Sequence, residues 1–471
     1  MELFSHQPGD DGLPGRARGF AMAAVMTATT MGVFDGSVVN IALPQIARSL
    51  DVSAAAAVWV SNGYLLSAAM TLAIFAAIAA RIGFRKLFVF GLGLFTLASL
   101  GCALAPSLEM LIGMRLLQGV GGAATLSIAP AILRTIFPNR LLGRILGLNA
   151  LLIAGSTAIA PVLGGTMLSV LSWPWLFAIN IPLGTMAMML ALRAVPDNPA
   201  REGQSFDFAG AGLSAAMLGG LILAANAFSR LQSASSLSEA LAYGTIALLC
   251  GGLFIWRQRR AVSPLLPLEI FRSARFSLAA LTSLASFVSQ GMTFITLPFL
   301  FQSVYGYSAL TSALLFAPWP LGIVLVAPRA GRLADRYAPA IISTVGLCIF
   351  AAGLALLAQL PEHAQVWDIG LRSFICGIGF GCFQSPNNRE MLANVARENS
   401  GYASGVLAIM RTFGQCLGTA FTGVILTVMT TGTAQQDFAV RFSLWIATAA
   451  TLIALTFSLS RLWALRVRQH A

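Results

Sequence analysis

The chain alternates long apolar runs with short polar connections. Each run approaches or exceeds the ~20 residues that a helix needs to cross a hydrocarbon core. Fourteen are predicted: 19–43, 55–80, 86–106, 108–133, 144–170, 173–194, 208–228, 238–256, 276–301, 308–328, 339–360, 367–388, 402–430 and 441–463. Strands of a membrane β-barrel would instead be short and alternate strictly between polar and apolar. The expected fold class is an all-α polytopic membrane protein. The seventh and eighth runs give the weakest signal, being short and separated by the polar stretch "SRLQSASSLSEA".

Composition agrees. Of 471 residues, 57% are hydrophobic and 10% charged, too little charge to cover a soluble protein of this size. The net charge of +12 would suggest nucleic acid in a soluble protein. Here the charges sit in the connections, so no nucleic-acid partner is expected. Twenty-three of the 29 Lys+Arg fall on the side that holds both termini, and only Arg48, Arg230 and Arg441 fall opposite. Arg115, Arg372 and Arg411 lie inside runs. The positive-inside rule then makes both termini cytoplasmic in a bacterial inner membrane. The first run is too long for a signal peptide and reads as an uncleaved span.

The six cysteines all lie in apolar runs, with no CxxC pair and no histidine beside them. They read as small buried hydrophobes. The three histidines are in tails or connections. No metal, cofactor or nucleophile–His pair is expected, which argues against an enzyme.

Asp35 is the only charged residue between Gly19 and Pro44. An ionisable residue inside the membrane is expensive and marks function by default. Burial favours its neutral form, as a proton carrier requires, whereas a nearby guanidinium favours the charged one. Arg115 is the expected partner. It lies about 10 Å along its run from the outer side, near the depth of Asp35. Protonating Asp35 would release Arg115, and deprotonation would restore the pair. Arg372 reads as snorkelling or paired locally with Asp368, and Arg411 as facing either a cavity or the surface.

The two ends of the chain echo each other. "AAIAARIGFRKLFVFGL" (76–92) parallels "RAGRLADRYAPAIISTVGL" (329–347), and "IGMRLLQGVGGA" (112–123) parallels "IGLRSFICGIGFG" (369–381). Duplicated halves are a transporter signature, with substrate near the midplane between them. The expected organisation is a cytoplasmic tail 1–18, a six-helix bundle 19–195, a linker with two inserted helices 196–268, a second six-helix bundle 269–464 and a cytoplasmic tail 465–471.

Several ordered motifs carry a resemblance: "FDGSVVNIALP" (34–44), "RLLQGVGGA" (115–123), "AGSTAIAPVLGG" (154–165), "WPWLFAINIPLG" (173–184), "PLLPLEIFRSARF" (264–276), "LPFLFQSVYGYSAL" (297–310) and "RTFGQCLGTA" (411–420). Together they resemble the major facilitator superfamily, in its fourteen-span drug:proton antiporter branch of the EmrB/QacA type. The resemblance implies a major facilitator fold of two six-helix bundles plus two inserted helices. It agrees with proton coupling through Arg115. It marks Gly155, Pro161, Gly164 and Gly165 as the antiporter motif, and Arg81, Gly83 and Arg85 with Gly331, Arg332, Asp335 and Arg336 as gating loops. The family's loop Asp is Ala80 here, its first loop Gly is Ala76, the Gly before Pro161 is Ala160, and an Arg is replaced by Pro174. The first two departures weaken the gate expected of the first loop.

Polar and aromatic residues of the runs are candidates to line a substrate cavity: Asn40, Trp59, Asn62, Tyr64, Gln118, Asn180, Gln290, Phe294, Gln302, Trp319 and Arg411. The expected function is proton-coupled efflux of lipophilic or cationic organic compounds by alternating access. The alternative is export of a metabolite such as a sugar, amino acid or siderophore. Expected partners are the small-molecule substrate, protons and the lipid bilayer, with a periplasmic adaptor left open. With Asp35 as the only deep acid, monovalent cations or neutral compounds should be handled better than dications.

Overall fold

The computed structural model describes residues 12–197, 206–229, 234–261, 264–265, 268–334, 336–361, 364–395, 400–429 and 433–469. Its helices are α1 (Gly15–Ser49), α2 (Ala54–Ile82), α3 (Phe84–Ala103), α4 (Leu108–Ile136), α5 (Asn139–Val170), α6 (Pro174–Ala178), α7 (Asn180–Ala194), α8 (Phe208–Ser229), α9 (Ala234–Gln258), α10 (Ala274–Phe299), α11 (Ala309–Phe316), α12 (Pro318–Leu333), α13 (Pro339–Ala358), α14 (Val366–Ala393), α15 (Ser400–Met429) and α16 (Thr433–Gln469). With α6–α7 and α11–α12 each counted as one broken helix, the fold has fourteen helices. Thirteen segments are long and apolar enough to cross a membrane. The weakly signalled α8 and α9 are among them. The fourteenth, α5, contains the apolar stretch Gly155–Val170.

Both breaks have a proline behind them. A proline ring clashes with the carbonyl four residues earlier and brings no N–H. Pro182 sets this penalty at Ala178, where α6 ends, and Pro320 sets it at Phe316, where α11 ends. Pro298 weakens the end of α10, which runs into a π turn at Leu300–Val304. Helices starting at Ala54, Leu108, Ala274 and Ala309 are each capped by the hydroxyl of the preceding serine, which satisfies an otherwise orphaned backbone N–H.

Helices α1–α7 pack among themselves, as do α10–α16. The two groups meet along α2 and α15, and along α5 with α11 and α12. Helix α8 lies against both α2 and α15, with α9 outside it. Connectivity gives a terminal end, where the chain enters α1 and leaves α16, and a far end. The largest apolar cluster joins both groups toward the far end, including Leu43, Val58, Leu168, Leu300, Phe301 and Ala313. Nearer the terminal end the cores are separate, around Phe88, Ile132 and Phe137 in one group and around Phe276, Met391 and Val406 in the other.

Several contacts seal the far end. The Gln302 amide donates to the Ile41 carbonyl at 2.8 Å, and the Cys416 thiol donates to Asn62 Oδ1 at 3.0 Å. At Gly165 a Cβ would stand 2.8 Å from the Ala309 carbonyl oxygen and 3.0 Å from Leu310 Cα, so only glycine allows this approach of α5 to α11. At Gly164 the neighbour is the Val38 side chain. Trp173 donates to Ser49 Oγ at 3.1 Å, tying the turn after α5 to the end of α1.

Candidate functional site

Small residues make the site possible. A Cβ on Gly121 would lie 2.6 Å from the Phe95 backbone nitrogen, and one on Gly122 would lie 2.6 Å from the Tyr64 hydroxyl. Glycines at these places let α2 and α3 close on α4. That approach brings Arg115 and Gln118 of α4 against Asp35 of α1.

Asp35 and Arg115 form an ion pair between Oδ2 and Nη1, with side chains 0% and 1% exposed. The same Nη1 donates to Gln118 Oε1 at 2.7 Å, and Arg115 Nε donates to the Val60 carbonyl at 2.9 Å. Asp35 Oδ1 accepts from Gln118 Nε2 and from Asn180 Nδ2, each at 3.0 Å. Gln118 Nε2 also reaches Ser99 Oγ at 2.8 Å. The Arg115 guanidinium lies over the Tyr64 ring, 4.5 Å from its centroid, and 5.6 Å from that of Phe177. Helices α4 and α7 thus converge on the one carboxylate of α1, with α2 and α3 holding Arg115 and Gln118 in place.

Energetics make this arrangement sensitive to one proton. A desolvated ion pair holds only while its partners satisfy each other, and removing one costs about 3–5 kcal/mol. Neutralising Asp35 strips Arg115 of the only carboxylate it contacts among the described residues. Asn180 Oδ1 is buried with no partner. An amide rotation would present it as an acceptor to a protonated Asp35.

Other candidates disperse. Asn40 Oδ1 accepts from Ser61 at 2.8 Å, and Gln290 Oε1 accepts from Gln415 at 2.9 Å. Phe294 packs edge-on to Phe316 and Trp319, at 4.8 and 5.4 Å between ring centroids. Trp59 is partly buried beside Leu66 and Phe413. Arg411 is half-buried in α15, close enough to Tyr64 to interact electrostatically. Arg372 pairs with Asp368 one turn away, at 2.8 Å.

In the first candidate gating loop, Gly83 has φ of +91°, Arg81 lies over the Phe206 ring, and Arg85 donates to the Leu192 carbonyl. In the second, a Cβ on Gly331 would stand 2.9 Å from Ser385 Oγ, and Arg332 and Arg336 are exposed. Asp335 lies outside the described residues. In the antiporter motif Gly155 has open space where a Cβ would be. Pro161 is buried within α5.

Three sequence expectations require correction. Asp35 is not the only buried acid, although the second stands near the terminal end of α14 and not deep in a span. Glu390 is buried and pairs with Arg461 at 3.0 Å. Arg461, assigned to the terminal-side connections, is fully buried. It donates to Asn387 Oδ1 and Ser458 Oγ, each at 2.8 Å. Arg18, assigned to the tail, is also fully buried on α1. The third concerns the cysteines: Cys348 is exposed on α13, and Cys250 and Cys382 are only partly buried. Depth along a run was readable from sequence, whereas the face a residue presents depends on how the helices pack. Ser99, Val60 and Phe177 at the site were not anticipated either, as each is an ordinary helix residue until its neighbours are known.

Known proteins bear on this geometry. The Major Facilitator Superfamily model matches residues 25–419. The chain belongs to the major facilitator superfamily. It is 40% identical over 417 residues to the uncharacterized transporter YebQ of Escherichia coli, covering 88% of this chain and 91% of that one. It is 30% identical over 407 residues to the multidrug resistance protein Stp of Mycobacterium tuberculosis, covering 85% and 75%. The structure of a bacterial homologue of the human lysosomal transporter Spinster, inward-facing and unoccupied, matches with a TM-score of 0.68 at 15% identity, covering 96% of this chain and 97% of that one. At that identity the likeness shows the fold. This major facilitator protein is a multi-pass membrane transporter and not an enzyme.

Proposed function

We propose that this transporter exports lipophilic or cationic organic compounds across the bacterial inner membrane in exchange for protons. Its termini would be cytoplasmic. The observation that carries the reading is the buried Asp35 carboxylate, held by Arg115, Gln118 and Asn180. A proton arriving at Asp35 loosens α1 from α4 and α7, and its departure draws them together. The resistance-protein name of the relative Stp supports the substrate class. The shared core at the far end and separate cores at the terminal end support a state open toward the cytoplasm.

Glu390 fits the coupling role less well. Arg461 donates to Glu390 but also to Asn387 and Ser458, so a neutral Glu390 would leave it with other acceptors and little reason to move. We read Glu390–Arg461 as a fixed strut between α14 and α16. Glu390 stands three residues before the end of α14, so among the described residues Asp35 is the acid deep within a span, and neutral compounds or monovalent cations should be handled better than dications.

The Gln290–Gln415 amide pair favours the second reading, export of a polar metabolite, because it offers hydrogen bonds that a lipophilic compound would leave unused. A resistance and dye-efflux panel in a pump-deficient host decides between them. The first reading expects protection against several unrelated compounds, abolished by a protonophore. Protection against none, with release of one metabolite, supports the second. Protection insensitive to the protonophore overturns proton coupling.

A further inference from the structure

A groove of about 480 Å³ opens at the terminal end between α3 and α7. It is lined by Arg85, Lys86, Val89, Phe90, Leu192 and Asp197. We propose that it binds the headgroup of an anionic phospholipid, with an acyl chain lying along its apolar wall.

Depth comes first. Helix α3 has 20 residues, about 30 Å at 1.5 Å each, which matches the thickness of a hydrocarbon core. Its first turn, carrying Arg85 and Lys86, therefore sits at the headgroup level. Phe90 is 55% exposed and Leu192 46% exposed, so the wall above the cations is apolar and faces the bilayer. Basic pockets between spanning helices are sites where acidic headgroups dock.

Charge comes second. None of the described ion pairs includes Arg85 or Lys86. The acidic residue that the resembled motif places in this loop is Ala80 here. Arg85 spends one N–H on the Leu192 carbonyl, which fixes its guanidinium across the α3–α7 gap and leaves other donors free. Lys86 is exposed. Asp197 is the one acid among the described residues that line the groove. It follows the end of α7 and is exposed, so it belongs to the aqueous rim. Arg193, in the last turn of α7, adds a cation beside it. The described residues that line the groove carry a net positive charge. One cationic edge at headgroup depth beneath an apolar wall matches a phospholipid phosphate and its chain.

The test uses full-length protein in nanodiscs of equal parts phosphatidylglycerol and phosphatidylcholine with identical chains. Co-purified lipid is read by native mass spectrometry. The wild type is expected to retain phosphatidylglycerol preferentially. Arg85→Gln/Lys86→Gln is expected to reduce that preference by about thirtyfold, and Lys86→Gln alone by about fivefold, as surface cations near a membrane contribute. The single variant leaves the Arg85–Leu192 contact intact, so it reports on charge if the double variant folds poorly. Equal retention of both lipids by the wild type overturns the proposal, as does an unchanged preference in Lys86→Gln. Displacement of phosphatidylglycerol by millimolar inorganic phosphate would show a general anion site and overturn the lipid assignment.

Discussion

The two halves use the same positions differently. Leu43-Pro44 of α1 has its counterpart in Leu297-Pro298 of α10, and nine residues before each proline stand Asp35 and Ser289. Arg115 in "IGMR" has its counterpart in Arg372 in "IGLR". In the first half the arginine is buried and reaches across helices to Asp35. In the second it turns back to Asp368 on its own helix, partly exposed, and Ser289 accepts a neutral hydrogen bond from Thr451 at 2.8 Å. Where the acid is present, the arginine is drawn inward; where it is a serine, the arginine has no reason to stay buried. The second half fills its core with rings instead. Trp319, Phe350, Phe380 and Phe287 form a chain of edge-on contacts with centroids 5.4–5.5 Å apart. One half centres on a buried ion pair and the other on packed aromatic rings.

The largest expected effect comes from erasing the difference. Asp35→Ala leaves Arg115 buried without a counter-charge and should cost about 3–5 kcal/mol, read as a lowered Tm in detergent. Asp35→Asn keeps the shape and two amide contacts. It should reach the membrane in normal amounts and lose proton-driven export, measured in everted vesicles. The converse test adds Ser289→Asp to Asp35→Asn. Export should stay lost, because Arg372 is committed to Asp368 and Ser289 faces Thr451. Recovery would mean that the halves are interchangeable.

A middle-sized effect concerns the seam that joins the halves. Gly165→Ala forces a Cβ onto the Ala309 carbonyl and Leu310 Cα, neither of which can step aside. Overpacking of this kind costs about 1–3 kcal/mol. Gly164→Ala would drive its Cβ into Val38 Cγ2, and Val38 is fully buried and stiff, so a loss of similar size is expected. Thermal unfolding of both variants measures it, and an unchanged Tm in either would contradict the close approach.

The sequence carried much of this. Run lengths predicted fourteen spans, and the structure has fourteen helices at those places, because hydropathy is read along one dimension. Depth alone paired Asp35 with Arg115. Depth said nothing about azimuth, so the convergence of Gln118 and Asn180 on one carboxylate oxygen was invisible, though both residues were named. Arg461 shows the same gap from the other side: it lay within a predicted run, yet its charge suggested a connection. Only the placing of α14 beside α16 through the neighbouring helices gives it Glu390 and Asn387, next to Ser458 of its own helix.

Two smaller effects sharpen the contrast. Arg372→Gln should change stability by only about 0–1 kcal/mol, as exposed pairs do. A large loss of export would give the second half an electrostatic role that its geometry lacks. At the terminal end, Asp207 joins the inserted helices. Burial pushes its carboxyl up, but hydrogen bonds from Arg257, the Gly210 amide and Gln258 outweigh this and hold it below the usual carboxylate value. Its stabilising contribution is therefore complete above the unfolded-state value, near pH 4, and falls away as pH drops below it. Hydrogen-exchange protection over residues 206–212, taken relative to the intrinsic rate at each pH, should be high at neutral pH and fall on acidification. Asp207→Asn should exchange fast at neutral pH.

The most direct test is proton movement in proteoliposomes, followed with an internal pH dye while a compound from the efflux panel is exchanged. The wild type should couple the two fluxes, and Asp35→Asn should move no more protons than protein-free vesicles. Proton-coupled exchange surviving in Asp35→Asn would contradict the assignment of the proton to this carboxylate.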